Sequence, residues 1–327
     1  MENRHTASSA AALAIFIVFS TMAPDRVFAE KSKDPAQPAV VSGSLLRFSS
    51  ESLQGAILSN LIGGMGVFRI QLGSEPLNGI AAAGEPDTWT LWASPAYSRF
   101  ENSIKPYTSK GKVMVGLAGL EYNHEDETFA GISLALDRLA ATTTYNSGTI
   151  DGSGYTLSPY LMHYLSQTWI LNSSLGVGQT KFESTATDVT SRPTTKKGLF
   201  SLGLTNINTH GKFYSMLKLN YNRFVDDTAS HANSAGNVNS RLKNTLSQLV
   251  MGAQVNYSSG IVKPFLGVNR FINQSDSSSS DKVPQEYAAT NQYVIGLNFS
   301  KDLLYGSLGY YIERDKSQLR VYAGIRY

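Results

Sequence analysis

The C-terminal stretch Ser317-Gln-Leu-Arg-Val-Tyr-Ala-Gly-Ile-Arg-Tyr327 alternates strictly in residue character. On a β-strand, successive side chains point to opposite faces of the sheet, with a period of two. One face would then suit lipid and the other would suit water. The first face carries Leu319, Val321, Ala323, Ile325 and Tyr327, and the second carries Gln318, Arg320, Tyr322, Gly324 and Arg326. This pattern predicts a strand that closes a membrane-spanning barrel.

The rest of the chain from residue 88 onward has the same character. It divides into twelve alternating or β-rich segments of about ten to fifteen residues, the length that a tilted strand needs to cross a bilayer. The sequence therefore predicts an all-β fold: a twelve-stranded antiparallel transmembrane β-barrel, preceded by a short N-terminal helical or extended segment. The segments are 88–100, 112–123, 127–139, 152–165, 168–182, 196–208, 212–224, 242–257, 261–272, 289–300, 303–314 and 318–327.

The connections between the segments alternate in length as well. Those that follow the even-numbered segments are tight, for example residues 166–167. Those that follow the odd-numbered segments are longer, among them 140–151, 183–195 and 225–241, and only the last, 315–317, is short. Short turns at one rim and long loops at the other are typical of a transmembrane barrel, whereas a β-sandwich would show no such parity.

Individual segments predict which face meets lipid. In the third, Ala130, Ile132, Leu134 and Leu136 share one face against Gly131, Ser133, Ala135 and Asp137, and the fifth and tenth segments show the same contrast. The second segment, 112–123, is mostly apolar on both faces, so its orientation cannot be assigned. Tyrosine and tryptophan residues near segment ends are expected to form interfacial girdles. These include Trp89, Trp92, Tyr122, Trp169, Tyr221, Tyr257, Tyr305 and Tyr310.

The first residues have the organisation of a secretory signal. Arg4 and His5 precede an apolar stretch, 10–22, and Val27-Phe28-Ala29 supplies small residues at the positions that signal peptidase requires. The strongly apolar part, 10–19, is about half the length of a transmembrane helix. We therefore expect cleavage after Ala29.

Composition excludes several classes of protein. The chain has no cysteine, so disulfide bonds and thiolate metal sites are excluded. The formal net charge is +3, which gives no footprint for nucleic acid. After residue 29 no run of eighteen apolar residues occurs, which excludes a helical membrane protein but not a barrel, whose strands hide lipid-facing residues at every second position.

Several motifs resemble the autotransporter β-domain, and they fall in that family's order. They are Trp89-Thr-Leu-Trp92, Gly119-Leu-Glu-Tyr122, Phe129-Ala-Gly-Ile-Ser-Leu-Ala-Leu136, Asp151-Gly-Ser-Gly-Tyr-Thr-Leu-Ser-Pro-Tyr160 and Tyr322-Ala-Gly-Ile-Arg-Tyr327. The resemblance covers residues 86–327. It implies a monomeric barrel in the outer membrane of a Gram-negative bacterium, surrounded by lipid, inserted by the barrel-assembly machinery with periplasmic chaperones, and with loops at the cell surface. Gly324, Ile325 and Tyr327 would form the assembly signal that this machinery reads.

The resemblance also implies a helix that threads the pore and leads to an exported passenger. Here the chain departs from the family, because only residues 30–86 stand between the signal peptide (1–29) and the barrel (87–327), and they contain no repeat. Within this extension, residues 50–62 predict a helix that would lie in the pore or rest on the periplasmic rim. Its apolar residues recur at roughly helical spacing: Leu53, Ile57, Leu58 and Leu61.

The function expected from these features is that of a translocator or surface-exposed membrane protein with a vestigial passenger, and not that of an enzyme. No catalytic residue, cofactor site, metal site or nucleic-acid partner is predicted. The alternative is a small pore or structural barrel plugged by its N-terminal segment. Five basic residues on or near strands with polar inward faces would set ion preference or hydrate the lumen: Lys218, Arg223, Lys263, Arg320 and Arg326.

Two hydrolytic arrangements remain as rivals. Asp226-Asp227 and His231 fall in a predicted external loop, where a carboxylate and an imidazole would activate water. Alternatively, His163 would pair with Ser158 or Ser166 as a nucleophile on the outside of the barrel. In both cases the simpler interpretation assigns no catalytic role. The first set would belong to a solvated loop, and His163 would be a histidine at the membrane interface.

Overall fold

The computed structural model describes the chain from residue 88 onward, with short gaps. The predicted signal peptide, the N-terminal extension with Leu53, Ile57, Leu58 and Leu61, and the terminal Tyr327 lie outside the described residues. Within the described part, no helix is long and apolar enough to cross a membrane. The described ranges are 88–102, 108–125, 127–144, 147–258, 260–277, 289–301, 304–314 and 316–326.

These residues form fifteen strands, of which twelve are long. The long strands are β1 (Thr88–Asn102), β2 (Ser109–His124), β3 (Thr128–Thr143), β4 (Gly148–Tyr164), β5 (Trp169–Ala186), β7 (Thr194–His210), β8 (Phe213–Thr228), β11 (Leu242–Tyr257), β12 (Val262–Ser277), β13 (Ala289–Lys301), β14 (Leu304–Glu313) and β15 (Lys316–Arg326). The short strands are β6 (Val189–Ser191), β9 (His231–Ala232) and β10 (Val238–Asn239).

The twelve long strands close into one antiparallel barrel. Each pairs with the next long strand in the chain, and β15 returns to pair with β1, for example Phe100 with Gln318. Closure removes the unpaired strand edges that lipid would leave without hydrogen-bond partners. The strand count, the antiparallel pairing and the all-β class predicted from the sequence are confirmed.

The exterior of the barrel is apolar around its middle. Large hydrophobic side chains stand exposed on successive strands, such as Leu136 (61% exposed), Val177 (65%) and Leu266 (62%). Their neighbours in sequence point inward and are buried, as strand alternation requires. A continuous apolar exterior of this extent is unsuited to water and matches the lipid-facing surface of a transmembrane barrel.

The orientation of the third, fifth and tenth predicted segments is confirmed, and the structure assigns the second. On β2, Val113, Val115 and Leu117 face the lumen, whereas Met114 and Leu120 face outward. Both faces are apolar because the lumen itself has an apolar wall at this strand. The sequence pattern of β2 therefore held no contrast between the two faces.

Several connections are shorter than the sequence suggested. Strands β3 and β4 remain paired up to Thr143 and Gly148, so most of the expected loop 140–151 is strand. The expected loop 183–195 contains the end of β5 and the short hairpin that β5 forms with β6. Beyond the apolar belt the outward face of these strands is polar, as at Thr142 and Thr149, so the sequence lacks the apolar alternation that marks a lipid-facing strand.

We name the two ends of the barrel by their connections. The turn end contains the connections β2–β3, β4–β5, β7–β8, β11–β12 and β13–β14, together with the start of β1. The loop end contains the other connections. Two outward aromatic pairs lie near the turn end, where Trp89 contacts Tyr122 and Phe213 contacts Tyr257, each with ring centroids 5.1 Å apart.

Candidate functional site: the barrel lumen

One wall of the lumen is largely apolar. It is centred on the inward faces of β1, β2 and β3, and its apolar side chains continue through β4 and β5 to Leu199 and Ile207 on β7 and Met216 and Phe224 on β8. Its side chains are buried and pack into a single cluster. The members on the first three strands are Trp92, Ala96, Phe100, Val113, Val115, Leu117, Phe129, Ala135, Leu139 and Ala141. An apolar lumen wall is unexpected for a channel filled only with water.

The opposite wall carries most of the amides and cations of the lumen. Across β7, β8, β11 and β12, Ser201 donates to Asn222, Asn222 donates to Gln248, and Gln248 donates to Asn273. Further on, Asn269 donates to Gln292, and the Arg320 guanidinium lies 4.2 Å from the centre of the Tyr311 ring. These hydrogen bonds fix the side chains along the wall. The lumen therefore has one mainly apolar side and one side that is rich in amides and cations.

Aromatic rings on the lumen wall lie flat over glycines of the neighbouring strand. Trp92 is paired with Gly119, and a Cβ atom added to that glycine would run into the indole ring. The same arrangement joins Tyr160 to Gly131 and Phe182 to Gly152. Glycine is needed at these positions because only a residue without a side chain leaves space for the ring. The rings thereby line the wall and do not project across the lumen.

A hydrogen-bonded relay orients two of these rings. The Trp92 indole Nε1 donates to the Tyr160 hydroxyl over 2.8 Å, and that hydroxyl donates to Glu121 Oε2 over 3.1 Å. All three side chains are buried near the turn end of the lumen. The expectation that Trp92 belongs to an interfacial girdle is therefore wrong. The sequence places this tryptophan near the end of a strand, but it does not show whether the side chain faces lipid or the lumen.

A charged cluster crosses the lumen wall toward the loop end. Lys197 on β7 donates to Asp137 on β3, with Nζ and Oδ2 3.2 Å apart. Asp226 on β8 is buried and interacts electrostatically with both groups. Sequence reasoning did not single out Lys197, although its strand parity, opposite to that of Phe200 and Leu202, indicated an inward side chain.

The basic residues predicted for the lumen divide into two groups. Lys218, Lys263 and Arg320 do lie on inward faces. Arg223 does not, because it alternates with the inward Asn222 and Phe224 and is exposed on the exterior. The side chain of Arg326 lies outside the described part of the structure.

The rim residues considered for hydrolysis have separate partners. Arg241 Nε donates to Asp227 Oδ1 over 2.8 Å, and this hydrogen bond raises the pKa of the Arg241 guanidinium above its usual value. His231 lies 3.1 Å from the carbonyl oxygen of Ala229 through Nδ1 and 3.2 Å from Asn239 through Nε2. Asp226 points into the lumen. The three side chains are therefore engaged in different contacts and do not form one acid–base site.

The second hydrolytic arrangement is also not assembled. Ser158 is buried on the lumen face of β4, whereas His163 is on the opposite face and hydrogen-bonds to Thr128 Oγ1 over 2.8 Å. Ser166 accepts hydrogen bonds from the backbone of Thr168 and Trp169, as a turn residue does. Among the residues that the structure describes, no group of three or more histidine, aspartate or glutamate side chains is placed to hold a metal ion.

The fold and its lumen together define a class: a closed, twelve-stranded transmembrane β-barrel with a two-sided interior. No family model matches the sequence. No curated protein sequence matches it either. Solved structures do match, and three of them belong to one kind of protein.

All three are autotransporter domains. The translocator domain of NalP from Neisseria meningitidis is 14% identical, with a TM-score of 0.64 over 88% of this chain and 99% of that one. The β-domain of the Bordetella autotransporter BrkA is 17% identical, with a TM-score of 0.60 over 74% and 99%. The transport unit of AIDA-I from Escherichia coli is 11% identical, with a TM-score of 0.56 over 84% and 98%. The chain thus has the fold of an autotransporter translocator domain, and the resemblance found in the sequence is confirmed at the level of the fold.

Proposed function

We propose that this chain is an outer-membrane barrel of the autotransporter type, and that its lumen holds one polypeptide segment, supplied by its own N-terminal extension. The loop end faces the cell surface and the turn end faces the periplasm. The exported part is vestigial, because residues 30–86 are the only ones between the predicted signal peptide and the barrel. The barrel acts as a translocator for this segment and has no catalytic role.

The two-sided lumen is the observation that supports this proposal most directly. A helix at 50–62 would be amphipathic, with Leu53, Ile57, Leu58 and Leu61 on one side. An apolar stripe of this kind suits a water-filled pore poorly. It suits a lumen whose wall at β1, β2 and β3 is itself apolar and whose opposite wall is polar.

The position of β1 gives further support. This strand begins at the turn end, next to the C-terminal end of β15, with which it pairs. A segment that precedes β1 therefore reaches the lumen from the turn end without crossing the strands. The wall it would meet first contains Trp92 and Leu117.

The test is protease accessibility of an epitope tag inserted near Asp34, on intact cells. We expect protease to remove the tag without lysis, because the segment has crossed the membrane. A tag that survives until the outer membrane is breached would mean that the segment stays in the periplasm or lumen. The plugged pore would then replace the translocator as the better account, and the amides and cations of the polar wall would serve ion passage.

A further inference from the structure

Three cations lie side by side on the outside of the barrel. Arg99 on β1 is paired directly with Lys112 on β2. Arg138 on β3 lies diagonally across from Lys112, because Lys112 pairs with Ala140, two residues further along. Side chains in direct and diagonal positions are separated by about 5 and 8 Å. All three are exposed, and within the described residues none of them has a hydrogen bond or ion pair.

The cluster lies at a defined level on the barrel. Two residues from each cation, toward the middle of the barrel, the same outward face carries a mainly apolar side chain: Tyr97 next to Arg99, Met114 next to Lys112, and Leu136 next to Arg138. Met114 and Leu136 are 52% and 61% exposed and belong to the apolar belt. The three cations therefore begin where the belt ends, which is the level of lipid headgroups.

Like charges placed next to one another repel unless an anion lies between them. The nearest acidic side chains on this face do not neutralise the cluster. Glu101 is opposite a fourth cation, Lys110, and diagonal to Lys112, and Asp151 is diagonal to Arg138, so two carboxylates stand against four cations. The excess of positive charge on β1, β2 and β3 calls for an external anion.

The two ends of the barrel differ in this respect. The exposed cations described near the turn end are Lys212 and Lys301. Near the loop end the exterior also carries Lys181, Lys196 and Arg223 beyond the three-cation cluster. The leaflet that surrounds the loop end is thus the one whose headgroups match a basic surface.

We propose that Arg99, Lys112 and Arg138 form a binding site for the phosphate groups of a phosphorylated glycolipid in the leaflet at the loop end. The three cations engage the headgroup phosphates, and the apolar belt around Met114 and Leu136 packs against the acyl chains. The choice of a glycolipid rests on the outer-membrane placement proposed above, whereas the site and its anion chemistry rest on the geometry alone.

The experiment uses the mature full chain, refolded in detergent and titrated with bis-phosphorylated lipid A, with native mass spectrometry as the readout. We expect the triple substitution Arg99→Gln, Lys112→Gln, Arg138→Gln to weaken binding roughly fivefold per cation, hence on the order of a hundredfold. The matched control is Lys212→Gln with Lys301→Gln, which removes exposed cations near the turn end and should leave the affinity unchanged. Heat-dependent gel mobility verifies that each variant has formed a barrel.

Three results would overturn the proposal: unchanged affinity in the triple variant, an equal loss per charge in the control, or equal binding of the same lipid after enzymatic removal of its phosphates. Displacement of lipid A by millimolar inorganic phosphate would also overturn it, because a lipid site draws on the acyl chains as well. If the triple variant does not fold, the three single substitutions take its place. Export of the N-terminal tag is measured separately, so a failed translocator proposal and a failed lipid site give different results.

Discussion

At the scale of single residues, two glycines of β2 have opposite surroundings. Gly119 faces the lumen beneath the Trp92 ring, whereas Gly116 faces outward with no atom near the position of a Cβ. The indole ring cannot simply move aside, because Trp92 is hydrogen-bonded to Tyr160. The absence of a side chain is therefore required at one of these glycines and not at the other.

We expect Gly119→Ala to lower the free energy of unfolding by about 1–3 kcal/mol, the usual cost of forcing an extra carbon into a packed site. Urea titration of the barrel refolded into liposomes measures this. Gly116→Ala is the control and should be neutral or slightly stabilising, since alanine has less freedom in the unfolded chain. Equal losses in the two variants would show that backbone flexibility, and not the ring, is the reason for glycine.

The lumen ion pair gives a second prediction at this scale. Lys197→Met leaves the buried Asp137 and Asp226 carboxylates without their shared cation, and we expect a loss of about 3 kcal/mol. Lys196→Met, at the next residue, changes an exposed exterior side chain and should cost little. The same urea titration compares the two. A stable Lys197→Met barrel would mean that water in the lumen replaces the ammonium group.

The direction of individual side chains could be predicted from the sequence at some positions and not at others. Alternation correctly placed Asp137 and Leu136 on opposite faces, because these neighbours differ sharply in polarity. It could not place Trp92 or Arg223, since a tryptophan suits both a girdle and an apolar wall and an arginine suits both a polar lumen and a headgroup layer. Those assignments depend on register with the neighbouring strands.

At the scale of the element, β15 completes the barrel. It pairs with β14 on one side and β1 on the other, and Ile325 is opposite Leu304 and Ala93. Tyr327 lies just beyond the described part of this strand, and the roles of Gly324, Ile325 and Tyr327 in assembly stay predictions. A strand whose two partners are the first and the penultimate strands in the sequence can pair fully only once the other strands are in place.

Deleting Tyr327 should lower the amount of barrel recovered in the outer membrane, because the predicted assembly signal loses its terminal aromatic residue. Quantitative immunoblotting of the membrane fraction measures this. Tyr327→Phe keeps the aromatic ring, so the amount of barrel recovered in the outer membrane should equal that of the unaltered chain. If recovery after the deletion equals that of the unaltered chain, the assembly signal is located elsewhere.

Element lengths were the least predictable feature from the sequence. The twelve strands were each recognised, because each contains an apolar face of several residues. Their extensions at the loop end, such as the paired stretch of β3 and β4 around Thr143 and Gly148, have no apolar outward face. Hydrogen bonding between neighbouring strands stabilises these extensions. The polarity and periodicity of a single strand do not indicate whether such pairing occurs.

At the scale of the whole molecule, the lumen and the N-terminal extension have to be considered together. If residues 50–62 occupy the lumen, removing residues 42–66 should open a path for ions, and conductance across a planar bilayer should rise. The full-length chain with serine at positions 53, 57, 58 and 61 is the control for the apolar stripe and should show an intermediate conductance. Equal conductance with and without the segment would place the segment outside the lumen.

The closed strand ladder, finally, gives every long strand a hydrogen-bonded neighbour on both sides, whereas an open sheet has two strands with only one neighbour. In an open sheet, one backbone cut between two strands leaves two pieces that are joined along a single strand pairing. In the closed barrel every strand is bonded on both sides, so a single break in the backbone at any connection leaves each piece held along two seams. The seam between β1 and β15 makes no pairing at Ser94 and Pro95, and the seam between β4 and β5 has the same gap at Ser158 and Pro159, since a proline has no N–H to offer. The molecule thus tolerates damage at its exposed loops, because cutting a loop leaves every seam of the strand ladder in place.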